Sequence, residues 1–172
     1  MEKTREEIEK EITNFLDGGG YCALGTCKDN IPRVTPVSFE SEGMNLWIVG
    51  DPGGKIENIK ANPMVSAGVY SRIEDDKDNI SLQIFGKAEL VTYDSNQNEF
   101  MDRAKKRGMI DRLESRRNKQ TGLVYSPFLK KELPMEDILR RIAFIKIIPD
   151  EVVYLHIKTQ GGGTYKAKWK RQ

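Results

Sequence analysis

Ile80-Ser81-Leu82-Gln83-Ile84-Phe85-Gly86-Lys87-Ala88-Glu89-Leu90-Val91 alternates with a period of two across its whole length. Ile80, Leu82, Ile84, Gly86, Ala88 and Leu90 fall on one face, and Ser81, Gln83, Phe85, Lys87 and Glu89 on the other. Only an extended strand separates residues this way, because successive side chains leave a strand on opposite sides. The apolar face is small, and Gly86 at its centre predicts a bend or bulge of the kind that turns a strand around a barrel corner.

Upstream, Tyr21–Cys27, Arg33–Glu40, Asn45–Val49 and Val65–Tyr70 read as further strands. Lys28-Asp29-Asn30, Ser41-Glu42-Gly43 and Glu74 to Asp78 supply the turns, and the close spacing of the first three strands predicts an antiparallel meander. A short helix over Lys55–Ala61 interrupts it, fed by Asp51-Pro52-Gly53-Gly54 and ended by Asn62-Pro63. The chain opens with another helix. Thr4 and Glu7 form a capping box, Ile8, Ile12, Phe15 and Leu16 share one face, and Asp17 with Gly18-Gly19-Gly20 stops it. This helix is expected to lie across the barrel.

Downstream the pattern changes. Phe100, Ala104, Met109 and Leu113 predict one or two helices in a charged stretch, and the basic run Arg103 to Arg107 with Arg112, Arg116 and Arg117 reads as a solvated helix face. Leu123–Pro134 reads as loop, broken at Pro127 and Pro134. Ile142–Ile157 returns to strand and is expected to split at Pro149-Asp150. After Gly161-Gly162-Gly163, the tail Thr164–Gln172 alternates Tyr165, Ala167 and Trp169 with Lys166, Lys168 and Lys170. That is a strand or arm with one basic edge, or a solvated tail.

The expected architecture is mainly β with helices: an antiparallel six-stranded split β-barrel with flanking helices, one domain over 1–172 with a helical and loop insertion at about 95–141. With 28 basic and 26 acidic residues the chain is nearly neutral, so bulk charge gives no reason to expect nucleic acid or a membrane surface. No apolar run approaches the ~20 residues of a membrane helix, and the charged start is unlike a signal peptide. Cytoplasmic residence is the expectation. The two cysteines, Cys22 and Cys27, fall on opposite faces of one strand and read as reduced packing residues, with His156 the sole histidine and no metal set.

Two features carry chemistry. Asp51 to Lys55 runs a glycine-rich turn into a helix start, where free N–H groups and a lysine make either an anion site or merely a turn with a surface lysine. Arg33 stands in line with Thr35, Val37 and Phe39, so its charge either ends in water at a barrel rim or pairs with a bound phosphate through its planar fork. His156, beside Tyr154 and Val152, reads as a packed or surface residue.

Arg33-Val34-Thr35-Pro36-Val37, Leu46-Trp47-Ile48-Val49 with Lys55, Asn62-Pro63-Met64-Val65 and Phe85-Gly86-Lys87-Ala88-Glu89 stand in an order and spacing that resembles the pyridoxamine 5′-phosphate oxidase-related family of FMN-binding split barrels. The resemblance covers about Gly20–Thr92, with a weaker match at Ile142–Leu155. It implies that Arg33 and Lys55 hold the FMN phosphate and that Val34, Thr35 and Pro36 line the isoalloxazine, with Ile48, Val49 and Gly50 on the facing strand. Ser81 or Gln83 would meet the flavin's polar edge, and Trp169 on the tail could reach across a dimer to cover it. It also implies a homodimer with flavin at the interface, and an oxidoreductase passing hydride between a reduced nicotinamide or small substrate and FMN. The alternatives are a non-catalytic flavin sensor or store, or a split barrel using deazaflavin or haem. Two departures stand out: Gly54 replaces the arginine that the vitamin B6 enzymes carry beside the lysine, and their C-terminal tryptophan and Arg-x-x-Arg-like clamp is missing. Vitamin B6 oxidase activity is therefore not expected.

Overall fold

A computed structural model describes residues 3–71, 77–159 and 163–172. The predicted turn at Glu74–Asp78 and the Gly161–Gly163 run fall largely outside the described residues. Helix α1 (Arg5–Leu16) begins at the expected capping box: Glu7 N–H donates to Thr4 Oγ1 at 3.3 Å, and Thr4 N–H donates to Glu7 Oε2 at 2.7 Å. Ile12 and Leu16 are fully buried against the barrel, and Ser41 Oγ donates to the Leu16 carbonyl at 2.7 Å.

Strands β1 (Gly20–Lys28), β2 (Ile31–Glu42), β3 (Asn45–Gly50), β4 (Met64–Tyr70), β5 (Asn79–Thr92), β8 (Ala143–Ile157) and β9 (Thr164–Lys170) form one antiparallel sheet in the order β3-β2-β1-β4-β5-β8-β9. A further β3–β8 ladder, Leu46↔Ile147 to Gly50↔Ala143, closes six of them into a barrel and leaves β9 outside the closure. β5 is the long alternating strand: Leu82, Ile84, Gly86 and Ala88 face in. Its register against β8 slips between Phe85 and Gly86, as the mid-strand glycine predicted. The close approach there requires glycine, because a Cβ on Gly86 would overlap the Ile148 carbonyl oxygen and come within 2.9 Å of Pro149 Cα.

Three expectations need correction, and the structure decides among the readings of the tail in favour of a strand. β8 does not split at Pro149-Asp150; it runs through, because the bulge sits where Pro149 would otherwise owe a ladder N–H. Leu123–Pro134 is not all loop: β6 (Val124–Ser126) and β7 (Lys131–Leu133) pair as a small hairpin. The tail is strand β9, paired with β8 from Ile157↔Thr164 to Glu151↔Lys170, and is neither a free arm nor a solvated tail. The basic run is not uniformly solvated, since Arg103 on α3 (Gln97–Lys106) is buried, 3.9 Å from the Trp47 ring centre and 2.8 Å from Glu42 Oε2.

Helices α3, α4 (Met109–Glu114) and α5 (Met135–Leu139) and the hairpin share a second core with Trp47, Val91 and Phe144. This insertion therefore covers the outside of β3 and β8, as the barrel interior is filled by the opposite face of the same strands, Leu46, Ile48, Ile145 and Ile147. The outside of β1, β2, β4 and β5 is left bare: Tyr21 is 81% exposed, Val34 69% and Tyr70 70%.

Candidate functional site: an anion cradle at the open edge of the barrel

The β2–β3 ladder holds only three pairs, Glu40↔Trp47 to Glu42↔Asn45. N-terminal to Glu40, β2 pairs with β1 alone among the described residues, so its other edge offers unpaired backbone groups. Helix α2 (Gly54–Ala61) stands near this opening and is tied to β1 by a buried hydrogen bond, Asn58 Nδ2 donating to Thr26 Oγ1 at 3.1 Å. The sequence reading missed Asn58. The signal available was a poor helix former lying between Ile56 and Ile59 on a short helix.

Arg33 sits opposite Thr26 and extends the inward row of β2 to the barrel rim. Its guanidinium lies over Gly54: a Cβ there would be 2.7 Å from Arg33 Cζ and Nε and 2.8 Å from Nη2. So the first residue of α2 is glycine where Arg33 takes the space that any side chain would need. The Gly53 cap supplies no side chain, and its carbonyl accepts from Ile56 and Glu57 N–H, leaving the Gly54 and Lys55 N–H groups pointing out of the helix start. Lys55 Nζ reaches only the Asp51 carbonyl, at 3.5 Å. Among the described residues Arg33 has no acceptor and Lys55 no carboxylate within ion-pair distance. The Arg33 guanidinium thus lies over the first turn of α2, which also carries Lys55, and neither cation has an ion-pair partner among the described residues. A phosphate monoester fits that donor set.

The remaining predicted residues divide. Arg33 and Val34 line two adjoining clefts, of about 520 Å³ toward Asn58 and about 470 Å³ toward Met64 and Phe85. Thr35 is half-buried and Pro36 exposed on the same strand. Ile48 is fully buried in the barrel, Val49 turns toward the insertion, and Gly50 packs so tightly that a Cβ would meet Ile56 Cδ1 at 2.8 Å. None of these three presents a side chain to the β2 edge. Ser81 and Gln83 face outward on β5, opposite Tyr70 and Gly68. Gln83 is three strands from Pro36, roughly 14 Å at the ordinary strand spacing, and the Arg33 cradle is out of its reach. Trp169 is not at the site: it is buried beneath α1, with Nε1 donating to Glu9 Oε1 at 2.5 Å. His156 is held by Asp78, Nε2 to Oδ2 at 2.7 Å.

A family model described as pyridoxamine 5′-phosphate oxidase matches residues 8–133. The chain belongs to the pyridoxamine 5′-phosphate oxidase family. Solved structures share the fold. A pyridoxamine 5′-phosphate oxidase-related, FMN-binding protein from Nostoc punctiforme is 15% identical, with a TM-score of 0.62 over 100% of this chain and 94% of that one. A FAD-binding protein from Mesorhizobium loti is 19% identical, with a TM-score of 0.55 over 86% and 91%. General Stress Protein 26 from Bacillus anthracis is 20% identical, with a TM-score of 0.53 over 94% and 99%. An uncharacterised protein of Rhizobium meliloti is 30% identical over 57 residues, 33% of this chain and 38% of that protein. Within the family, the cradle described above belongs to the matched segment.

Proposed function

We propose that the protein binds FMN, with the phosphate in the Arg33–Gly54–Lys55 cradle, and works as a flavin-dependent oxidoreductase in the cytoplasm. The observation that carries this is the Arg33 guanidinium lying over the glycine that begins α2, with neither it nor Lys55 ion-paired among the described residues. Arg33 would grip the phosphate with its fork, Lys55 would add a point charge, and the two free amides would complete the shell of donors around its oxygens. Val34, Thr35 and Pro36 would lie along the ring, aided by the free edge of β2. When bound, the flavin supplies a ring that takes up and returns a hydride, while the protein supplies position and electrostatics.

The reading includes a homodimer. Tyr21, Val34, Met64, Tyr70 and Phe85 are exposed apolar residues on the uncovered half of the barrel, a surface suited to pairing with a second copy. Ser81 and Gln83 lie on that face too, so they would serve the flavin of the other protomer and not their own. A visible spectrum of the purified protein, before and after adding FMN, tests binding; a preparation that stays colourless and takes up no FMN refutes it. Oxidation of NADH or NADPH by the FMN-loaded protein tests turnover, and bleaching only by chemical reductant would make the protein a flavin carrier.

A further inference from the structure

A cavity of about 310 Å³ lies between the exit of β3 and the insertion. Its walls include Val49, Leu113, Ile138 and Phe128, with Arg112, Arg116 and Asp51 also facing it. Such a volume is at the low end of the roughly 300–1,000 Å³ of small-molecule pockets. Phe128, at the turn of the β6–β7 hairpin, is 88% exposed, so its ring is open to a partner. Ser126 braces that turn by accepting from the Leu129 N–H at 3.4 Å.

The arginines of the insertion sort by what they touch. Arg103 pairs with Glu42, Arg107 with Glu40, Arg117 with Glu114 and Arg140 with Asp94. Arg112 and Arg116 have no such partner among the described residues, and these two line the cavity. Arg141, also unpaired, opens on a different cleft beside Gly50 and Lys60. Arg112 lies on α4 and Arg116 in the turn just after it, and both side chains line the same cavity. Two guanidiniums against the one carboxylate of Asp51 leave a single uncompensated positive charge.

We propose that this cavity binds a small aromatic monocarboxylate. The ring would stack on Phe128 against the apolar wall, and the carboxylate would be held by the Arg112 and Arg116 forks. The Asp51 carboxylate on the same wall repels a second negative charge and so favours a monoanion over a phosphate dianion. The ligand class follows from the cavity alone and does not rest on the flavin reading.

The test titrates the full-length protein with 2-naphthoate, followed by the probe's own fluorescence, with no flavin present, so that failure of the flavin reading leaves it intact. Naphthoate should bind at least tenfold more tightly than neutral 2-naphthylmethanol and more tightly than 2-naphthyl phosphate. Arg112→Gln and Arg116→Gln should each weaken naphthoate about tenfold and leave naphthylmethanol unchanged, while Arg117→Gln, whose side chain is already paired, should leave both unchanged. Phe128→Ala should weaken both ring compounds several-fold. The proposal is overturned by equal binding of the acid and the alcohol, by Arg112 and Arg116 variants that bind naphthoate like the unaltered protein, or by competitive displacement of naphthoate by FMN, which would make the cavity part of the flavin site.

Discussion

Gly54→Ala isolates the contact on which the phosphate assignment depends. The new methyl would sit 2.7 Å from Arg33 Cζ and Nε, so the guanidinium must withdraw by roughly 0.7 Å or more to reach ordinary contact. Withdrawal costs the fold little, since Arg33 is exposed and its far end is flexible. The helix gains, because alanine replaces glycine inside it, by up to ~1 kcal/mol. Stability should therefore be unchanged or slightly raised. Binding should move the other way. A hydrogen bond to a charged group contributes about 1.5–3 kcal/mol, a factor of roughly 10 to 150 in affinity, which sets the loss expected for Arg33→Ala. Gly54→Ala displaces the fork and should forfeit part of that, about three- to tenfold. The assay is quenching of flavin fluorescence with FMN and riboflavin in parallel. Riboflavin lacks the phosphate, so its affinity should be the same in all three proteins. If both variants bind FMN as tightly as the unaltered chain, or lose riboflavin as much as FMN, the cradle does not hold a phosphate.

Three other outcomes follow from the same coordinates. Asn58→Ala leaves the buried Thr26 hydroxyl without its donor and frees α2 from β1, so urea unfolding should show a loss of about 1–3 kcal/mol, with weaker FMN binding. Gly86→Ala drives a methyl into the Ile148–Pro149 backbone, and its thermal unfolding should reveal a loss near the upper end of overpacking costs, about 3 kcal/mol. Burial pushes the Cys22 thiol from its ordinary 9.0 up to about 11. The folded chain thus prefers the neutral thiol, and the stability this contributes is complete below about pH 9 and lost as the pH climbs to about 11, roughly 2–3 kcal/mol in all. Tyr154, pushed by burial up to about 12, adds a loss of the same sign beginning near pH 10. Chemical denaturation from pH 8 to 11 should show the decline, and Cys22→Ala should flatten its lower part; an equal slope in the variant would assign it elsewhere.

What could be read from the sequence was what neighbours along the chain decide. The α1 capping box, the two-residue period of β5 and the glycine at its bend depend on spacing alone, and each appears where expected. Errors arose where distant residues decide. The three-residue strands β6 and β7 carry no period long enough to detect, and each is followed directly by a proline, Pro127 or Pro134, which reads as a loop; their pairing, with Asn118 and Glu132 bonded across, supplies what local pattern lacks. The tail's alternation was legible, and its apolar side Tyr165, Ala167 and Trp169 does face inward; that it pairs with β8 instead of standing free was not, because the partner, such as Val152 opposite Trp169, lies elsewhere in the chain. At the site, the oddity of Arg33 in an apolar row was visible. That it lies over Gly54, two elements away, was not, since a missing Cβ has meaning only against what fills its place.

The same contrast explains why the barrel's two outer halves differ. The insertion can cover only strands that turn large apolar residues outward, and β3 and β8 do so with Trp47 and Phe144. The other half is built differently: its outward positions run Val34–Gly25–Ser66–Phe85 and Pro36–Ala23–Gly68–Gln83 across β2, β1, β4 and β5. Glycine, alanine and serine occupy the middle of both rows, with larger residues at the flanks. That is a shallow trough in which another sheet or a flat ring can approach the backbone closely, and no helix among the described residues fills it. A Cβ at Gly68 would meet nothing within 4 Å in the single chain, so an arginine there can extend from the outer face and should leave the stability intact. Gly68→Arg should nonetheless convert a dimer to monomer in sedimentation and lower FMN affinity at the same protein concentration. A variant that stays dimeric, or that loses the dimer while keeping full FMN affinity, would show that the bare half of the barrel is not where two protomers complete the flavin site.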